Sequence, residues 1–313
     1  MVPDIRSLHH VTATVNDAQE DLDFYCRLLG LRLVKKTVNF DNRGVYHFYY
    51  GDRTGTPGTI MTTFPYKGRG VPAGRKGAGQ ITAIGFSVPP GGLDRWRSRL
   101  RSRRVSTGEA TRFGEEVIGF SDPSGLTIEL IGSAGDAREP WTIGEVDEGM
   151  AIRGIHSLEL TIAAPDRSLA LFSSLLGLTV LDSEGSRTRI GMHGGGPGRT
   201  LDILAAPGTA PALNGLGTVH HLALAVATAE DQLAYREAVI ARGIPVTEVL
   251  DRQYFQSIYF REPGGVLLEI ATISPGFLVD ESAEDLGQSL RLPPWEAANR
   301  AAIEAALPAV YHP

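Results

Sequence analysis

The stretch LHHVTATV, residues 8–15, alternates apolar and polar positions, and the chain repeats this pattern three more times. The repeats are QITAIGFSV at 80–88, IHSLELTI at 155–162 and VHHLALAV at 219–226. Alternation over runs of this length is typical of a β-strand with one buried face. Four copies of one opening strand predict a fold built from four similar units.

The four units fall into two similar halves. The tetrapeptide LLGL begins at Leu28 and again at Leu175. The related segments DPSGLTIEL and EPGGVLLEI begin at Asp122 and Glu262. Because two independent segments repeat at nearly the same separation, they indicate a duplicated half of about 145 residues.

Each unit continues beyond its opening strand with one helix and three more strands. In the first unit, Leu22, Tyr25 and Leu29 recur at the spacing of one helix face, and three β-branched or aromatic runs follow, separated by turn residues. This βαβββ order predicts the α+β fold class. The predicted units span 7–65, 79–133, 154–206 and 218–273. They would form an N-terminal domain at 1–145 and a C-terminal domain at 150–275, followed by an extension with a short helix at 276–313.

The composition is that of a soluble globular protein. Of 313 residues, 42% are hydrophobic and 21% are charged, and no window reaches the ~18 apolar residues of a membrane span. The formal net charge of −6 disfavours binding to nucleic acid. The single cysteine, Cys26, cannot form an internal disulfide, which favours a reducing compartment. We therefore predict a cytoplasmic protein with neither a nucleic acid nor a membrane as partner.

The four-unit pattern resembles the vicinal oxygen chelate superfamily, which includes glyoxalase I, bleomycin-resistance proteins and extradiol ring-cleavage dioxygenases. The resemblance extends from residue 7 to about residue 275. It implies that paired βαβββ modules curl into cup-shaped incomplete barrels, and that such a cup can hold a metal ion. One cup would combine the first and fourth units, and the other cup would combine the second and third.

Two histidines and one glutamate occupy matching places in the first and fourth units. Alignment of the opening strands sets His10 opposite His221, and alignment of the last strands sets Met61 opposite Glu269. A cup made from these units would bring the histidines and the glutamate together. The fourth corner of the site, which is the ligand position that Met61 would occupy, would then be open. Two neutral imidazoles and one carboxylate form the facial triad that suits Fe(II); the same set could hold Mn(II), and it suits Zn(II) less well.

The second cup has no comparable set of residues. Its equivalent positions are Ala83, Glu129, Ser157 and Asp202, which offer two carboxylates and no imidazole. Such a pair is a poor site for a transition metal, so we interpret the second cup as structural. Whether Glu129 and Asp202 bind anything is left open by the sequence.

Longer segments resemble the ring-cleaving dioxygenases of hydroquinones, of the chlorohydroquinone and methylhydroquinone types. They are LHHVTA, YHFYYGDRTGTPGTIMTTFP (46–65), TRFGEEVIGFSDPSG (111–125) and YFQSIYFREPGGVLLE (254–269). Ligands drawn from the first and fourth units also fit that group, whereas catechol extradiol enzymes usually place all three in the C-terminal half. The resemblance implies an Fe(II) enzyme that inserts O2 into a small 1,4-dihydroxy aromatic ring, in aromatic degradation or quinone detoxification.

This resemblance implies two groups of functional residues. The first group is the iron ligands, namely His10, His221 and Glu269. The second is the polar shell around them, namely Thr12, His220, Arg252 and Tyr259. Thr12 shares a strand face with His10, and Arg252 could stabilise a phenolate. Strict alternation turns His220 away from the metal unless its strand is bulged.

Other functions could use the same cup. A catechol-type extradiol dioxygenase would need the same metal ligands. A glyoxalase-like isomerase or lyase usually requires a fourth protein ligand that acts as base, and Met61 argues against it. A metal-free binding protein would have no need of three intact ligands. The ring substituents and the choice between iron and manganese stay open, and we expect an even-numbered homo-oligomer, a dimer or a tetramer.

Overall fold

The computed structural model describes residues 3–311 of the chain. Residues 1–2 of the predicted N-terminal domain and residues 312–313 of the predicted extension lie outside the described residues. Within the described range, the order strand, helix and three strands occurs four times. The predicted α+β fold class, with four βαβββ modules in two tandem halves, is confirmed.

The modules have the following elements. The first contains β1 Ser7–Val15, α1 Ala18–Leu22, β2 Arg32–Asn39, β3 Asn42–Gly51 and β4 Ile60–Pro65. The second contains β5 Gln80–Val88, α2 Leu93–Ser102, β6 Gly108–Arg112, β7 Glu115–Ser121 and β8 Thr127–Gly132. The third contains β9 Gly154–Ile162, α3 Asp166–Ser174, β10 Thr179–Glu184, β11 Arg187–Gly191 and β12 Thr200–Ala205. The fourth contains β13 Thr218–Val226, α4 Ala229–Ile240, β14 Leu250–Asp251, β15 Gln256–Arg261 and β16 Leu267–Thr272.

Residues 3–311 form two eight-stranded sheets, and each takes one module from each half of the sequence. The first sheet has the order β14-β15-β16-β13-β1-β4-β3-β2 and joins the first and fourth modules. The second has the order β10-β11-β12-β9-β5-β8-β7-β6 and joins the second and third. The opening strands pair antiparallel at the centre of each sheet, β1 with β13 and β5 with β9. Because both halves contribute to both sheets, the domain boundaries predicted from the sequence remain a proposal.

Strand alternation separates the core face of the first sheet from its inner face. From β1, Val11, Ala13 and Val15 belong to the main hydrophobic core. The residues that alternate with them on β1, including His10 and Thr12, therefore lie on the opposite face, inside the curl of the sheet. This face holds the candidate site.

Capping side chains fix where the helices that pack against the core begin. At α4, Thr228 accepts a hydrogen bond from the backbone N–H of Asp231, and the Asp231 carboxylate accepts one from the backbone N–H of Thr228. At α1, the Asp17 carboxylate accepts from the backbone N–H groups of Gln19 and Glu20. These bonds satisfy backbone donors that a helix start otherwise leaves without partners, and those at α4 are reciprocal.

The segment after β16 packs back onto the first module. It ends in the short helix α5, Arg300–Ala306, in which Ile303 is buried. Trp295 stays half exposed and packs edge-on against Phe40, with ring centroids 5.5 Å apart. Within residues 3–311, no helix is long and apolar enough to cross a membrane.

Candidate metal centre

Consecutive histidines occur in β1 and in β13, and each pair coincides with a β-bulge. The register of β1 against β13 skips His9 on one strand and His220 on the other. A bulge inserts one extra residue and redirects the side chains beside it. His10 and His221 therefore face the inside of the cup from the two central strands of the sheet, although each directly follows another histidine.

The three predicted metal ligands lie together and are buried. His10 Nε2 is 3.2 Å from both His221 Nε2 and Glu269 Oε2, and His221 Nε2 is 2.9 Å from Glu269 Oε2. Neighbouring ligands on one face of an octahedron lie about 3 Å apart when the metal–ligand bonds are about 2.1 Å long. Within residues 3–311, this is the only group of three histidine, cysteine or acidic side chains so arranged.

The carboxylate of Glu269 is oriented for a cation. The Ser257 hydroxyl donates to Oε1. Oε2 is buried and, among the described residues, has no partner with hydrogen-bond geometry, although two imidazole nitrogens lie close to it. Burial acts to raise the pKa of Glu269, but His10 and His221 outweigh it and hold that pKa well below its usual value. A buried carboxylate oxygen that lacks a partner and faces two imidazole nitrogens fits a divalent metal ion.

The other nitrogen of each of these two histidines contacts the preceding histidine. His10 Nδ1 lies 2.9 Å from His9 Nδ1, and His221 Nδ1 lies 2.7 Å from His220 Nδ1. Burial, together with the adjacent histidine, lowers the pKa of His9 and of His220 to about 3. Both neighbours are thus neutral and can accept an N–H, which leaves the Nε2 lone pairs of His10 and His221 available to a metal.

Arg252 and Tyr259 form one unit beside these residues. Arg252 Nε donates to the Tyr259 hydroxyl oxygen at 3.3 Å, and Arg252 Nη1 lies 3.2 Å from an Asp41 oxygen. The Tyr259 ring packs edge-on against His221, with centroids 5.5 Å apart. Burial and the charge of Glu269 raise the pKa of Tyr259, so its hydroxyl keeps its proton at neutral pH. Because the oxygen already accepts from Arg252, that proton is free to be donated into the cavity.

The fourth corner of the site is Thr62, so the prediction of Met61 was wrong by one residue. Thr12 pairs with Thr62 in the β1–β4 register, as Ala223 pairs with Glu269 between β13 and β16. Met61 lies in the hydrophobic core instead. Thr62 Oγ1 donates to Thr12 Oγ1 at 2.9 Å, and Thr12 is fully buried beneath the cavity wall. The corner nevertheless carries no charged ligand, as the sequence had indicated.

In the second cup, the predicted carboxylates form ion pairs with arginines. Arg189 donates to both carboxylate oxygens of Asp202, at 2.7 and 2.9 Å, and Arg112 pairs with Glu129. Both carboxylates of this cup therefore already face a guanidinium group. These pairs give a physical reason to interpret the second cup as structural.

Two of the three grouped side chains, His10 and His221, line a cavity of about 380 Å³, and Glu269 lies buried behind them. His220, Arg252 and Tyr259 also line it. The rest of the wall is largely aromatic or apolar and includes Phe40, Tyr49, Phe64, Phe255 and Leu267. The sequence reasoning missed His47 and Asp41, which belong to the same wall. His47 could have been found from its alternation with Tyr49, because alternate residues share one strand face.

Comparison with known proteins matches both halves of the chain to one family. The model of the Glyoxalase/Bleomycin resistance protein/Dioxygenase superfamily matches residues 7–130 and 154–270. MhqE of Bacillus subtilis, a proposed ring-cleaving dioxygenase, is 41% identical over 301 residues, which cover 96% of this chain and 98% of that protein. A chlorohydroquinone/hydroquinone 1,2-dioxygenase of Sphingobium indicum is 37% identical over 299 residues, which cover 93% of this chain and 92% of that one.

Solved structures agree with this match. The crystal structure of a proposed dioxygenase from Bacillus subtilis is 39% identical, has a TM-score of 0.95, and covers 100% of this chain and 99% of its own. Glyoxalase I from Zea mays is 16% identical with a TM-score of 0.63, covering 86% of this chain and 92% of its own. The likeness to glyoxalase I concerns the fold alone.

Proposed function

The chain belongs to the glyoxalase, bleomycin resistance protein and dioxygenase superfamily, and on that premise we propose that it is an Fe(II)-dependent dioxygenase that cleaves hydroquinone-type rings. Its substrates would be a small 1,4-dihydroxy aromatic compound and O2. The observation that carries the proposal is a buried group of two imidazole nitrogens and one carboxylate oxygen beside an aromatic-walled cavity that both imidazoles line. The name of the Sphingobium relative, a hydroquinone dioxygenase similar over most of the chain, supports this choice of substrate.

In this proposal, His10, His221 and Glu269 hold the metal. Iron(II) bound there would supply the electron transfer through which O2 can react with an aromatic ring. The chain presents its three ligands on one side and keeps the other side open to the cavity. Mn(II) suits the same donor set, so the identity of the metal is tested by loading each ion in turn.

We assign proton transfer to His220 and Tyr259. His220 lines the cavity and lies next to a ligand, and because its Nδ1 accepts from His221, its neutral ring carries the proton on Nε2 and can donate it to an oxygen atom in the cavity. Tyr259 can donate its free O–H to a substrate oxygen, while Arg252 holds that hydroxyl and places a positive charge where negative charge develops. Thr12 does not line the cavity, so its proposed role is to position Thr62.

The residue at the fourth corner, Thr62, argues against the isomerase or lyase alternative. That chemistry usually uses a fourth protein ligand as base, and the corner here is a threonine whose hydroxyl proton is engaged with Thr12. A catechol-type extradiol dioxygenase would use the same three ligands, so the substrate test must separate it from the hydroquinone enzyme.

The test is oxygen uptake by protein reconstituted anaerobically with Fe(II). The protein is offered methylhydroquinone, chlorohydroquinone and catechol in separate runs, with His221→Ala as the metal-site control. We expect uptake with a hydroquinone and its loss in the control. Uptake with catechol alone would replace the proposed substrate class. Absence of uptake with all three, despite one tightly bound metal ion per chain, would contradict the dioxygenase proposal.

We also propose that the protein acts in the cytoplasm and as an even-numbered homo-oligomer, a dimer or a tetramer. The net charge of −6 and the one buried cysteine support the first part. Light scattering of the purified chain tests the second part, and a monomer at micromolar concentration would contradict it.

A further inference from the structure

One polar side chain of the cavity wall has no part in the chemistry proposed above. His47, on β3, is 9% exposed, and its imidazole lies between the rings of Tyr49 and Phe64, with centroids at 4.0 and 4.3 Å. Its Nε2 lies 2.9 Å from Thr62 Oγ1. Aromatic packing and this contact fix the ring, and because His47 lines the cavity and its Nε2 is engaged, Nδ1 is the nitrogen left for a ligand.

The hydrogen bonds of Thr62 determine which nitrogen of His47 carries the proton. Thr62 Oγ1 donates its only proton to Thr12 Oγ1, so it must accept from His47 Nε2–H. Burial lowers the pKa of His47 well below its usual value, and the ring is therefore neutral. A neutral imidazole with its proton on Nε2 has an acceptor at Nδ1. No donor among residues 3–311 bonds to that nitrogen.

Two other polar groups near His47 in the same wall are already paired. Asn39 donates to the Tyr66 hydroxyl at 3.1 Å, and Asp41 pairs with Arg252. His47 Nδ1 is therefore an acceptor that a ligand can use on this side of the cavity. In the sheet order β1-β4-β3, His47 lies two strands from His10, which is about 10 Å across the strands, and the register places it further along them, near the level of Phe64.

We propose that His47 Nδ1 accepts the hydrogen bond of the substrate's second hydroxyl and so selects 1,4-diols over 1,2-diols. This inference rests on the proposed function. In a 1,2-diol the two oxygens are adjacent and can bind one metal. In a 1,4-diol the second oxygen lies across the ring from the first, so it needs a partner on the far side of the cavity. Because Nδ1 is an acceptor, it favours a hydroxyl there over an ether oxygen or a hydrogen atom.

The experiment measures equilibrium binding without turnover. Anaerobic, metal-loaded protein is titrated calorimetrically with hydroquinone, 4-methoxyphenol and phenol, which differ only in the group opposite the first hydroxyl. We expect the wild type to bind hydroquinone about fivefold or more tightly than either analogue, the ratio that one neutral hydrogen bond provides. In His47→Leu this ratio should fall to about one. The control is His156→Gln, which changes a buried histidine of the second cup and should keep the wild-type ratio.

Thr62→Val provides a second variant that leaves the imidazole in place. It removes the acceptor that fixes the proton on Nε2 of His47, so the preference for hydroquinone should weaken here too. A wild-type ratio in either folded variant would overturn the inference about His47 while leaving the dioxygenase proposal intact. Wild-type protein that binds none of the three phenols would contradict the proposed function, and the inference would fall with it.

Discussion

Lys35 joins the segment after β16 to β2 through a buried cation, and Lys35→Met removes this charge while it keeps the length of the side chain. Nζ donates to the backbone carbonyl of Phe277 at 3.1 Å, to Asp280 Oδ1 at 2.6 Å and to the carboxylate of Glu281. The side chains of Lys35 and Glu281 are 0% exposed, and that of Asp280 is 20% exposed. The substitution therefore leaves a fully buried carboxylate without its nearest cation.

The expected loss follows from what remains around that carboxylate. Removal of one partner from a buried ion pair costs about 3–5 kcal/mol. Arg291 still lies 3.1 Å from Glu281, and Asp280 can reach water, so we expect the lower end, about 3 kcal/mol. The matched control is Lys67→Met, because Lys67 pairs with Asp17 on the surface and is 61% exposed. Exposed pairs of this kind contribute little, so the control should unfold like the wild type.

Equilibrium unfolding in urea measures this difference. With a denaturant slope of about 3 kcal/mol per molar, a loss of that size lowers the midpoint for Lys35→Met by about 1 M. Unfolding should be followed by both fluorescence and circular dichroism, since a chain of this size need not unfold in one step. A midpoint for Lys35→Met as close to the wild type as that of Lys67→Met would refute the assignment of a stabilising buried cation.

Three further predictions concern other buried groups. Burial raises the pKa of the Cys26 thiol, so a thiol reagent should label the protein only after denaturation, and rapid labelling of the native chain would contradict this. Burial raises the pKa of Asp21 to about 8, above its unfolded value of 3.8, so its contribution to stability is complete below about pH 4 and is lost as the pH rises through 8. The urea midpoint of Asp21→Asn should therefore change less between pH 5 and 8 than that of the wild type. An equal change of midpoint with pH in the two proteins would contradict the raised pKa of Asp21. His9→Phe removes the acceptor on His10 Nδ1 and should weaken Mn(II) binding about 10- to 100-fold by calorimetry, whereas wild-type affinity would show that His9 does not orient its neighbour.

Periodicity and repeats could predict the module order because the same pattern appears four times. The opening strands have clear alternation, and the matching positions of His10, His221 and Glu269 follow from it. The cup that unites them could not be derived from periodicity, because β1 and β13 pair across more than 200 residues of chain. That pairing was available only from the resemblance to a known family.

The pairing register between neighbouring strands could not be predicted from the sequence. A shift of one residue exchanges the two faces of a strand, and nothing in MTTF shows which residue pairs with Thr12. For this reason Met61 was assigned to the corner that Thr62 occupies. The bulges at His9 and His220 were hidden in the same way, because a bulge is defined by the partner strand.

The burial of a side chain by segments far away in sequence could not be predicted either. Lys35 lies in a strand, where a lysine is expected to be exposed, and the returning segment around Phe277 and Glu281 covers it together with the ring of Tyr254. His47 has its partner Thr62 on the neighbouring strand. In both cases the residue's role depends on contacts that sequence spacing does not encode.

The central claim is that His10, His221 and Glu269 hold one iron at which O2 opens a hydroquinone ring. The most direct measurement is mass spectrometry of the product formed from methylhydroquinone under isotopically labelled oxygen, with protein that contains one Fe(II) per chain and with His10→Ala alongside. We predict an acyclic product with both labelled oxygen atoms from the wild type, and neither bound iron nor product from His10→Ala. An unlabelled product with the ring intact, or full iron content and turnover in His10→Ala, would contradict it.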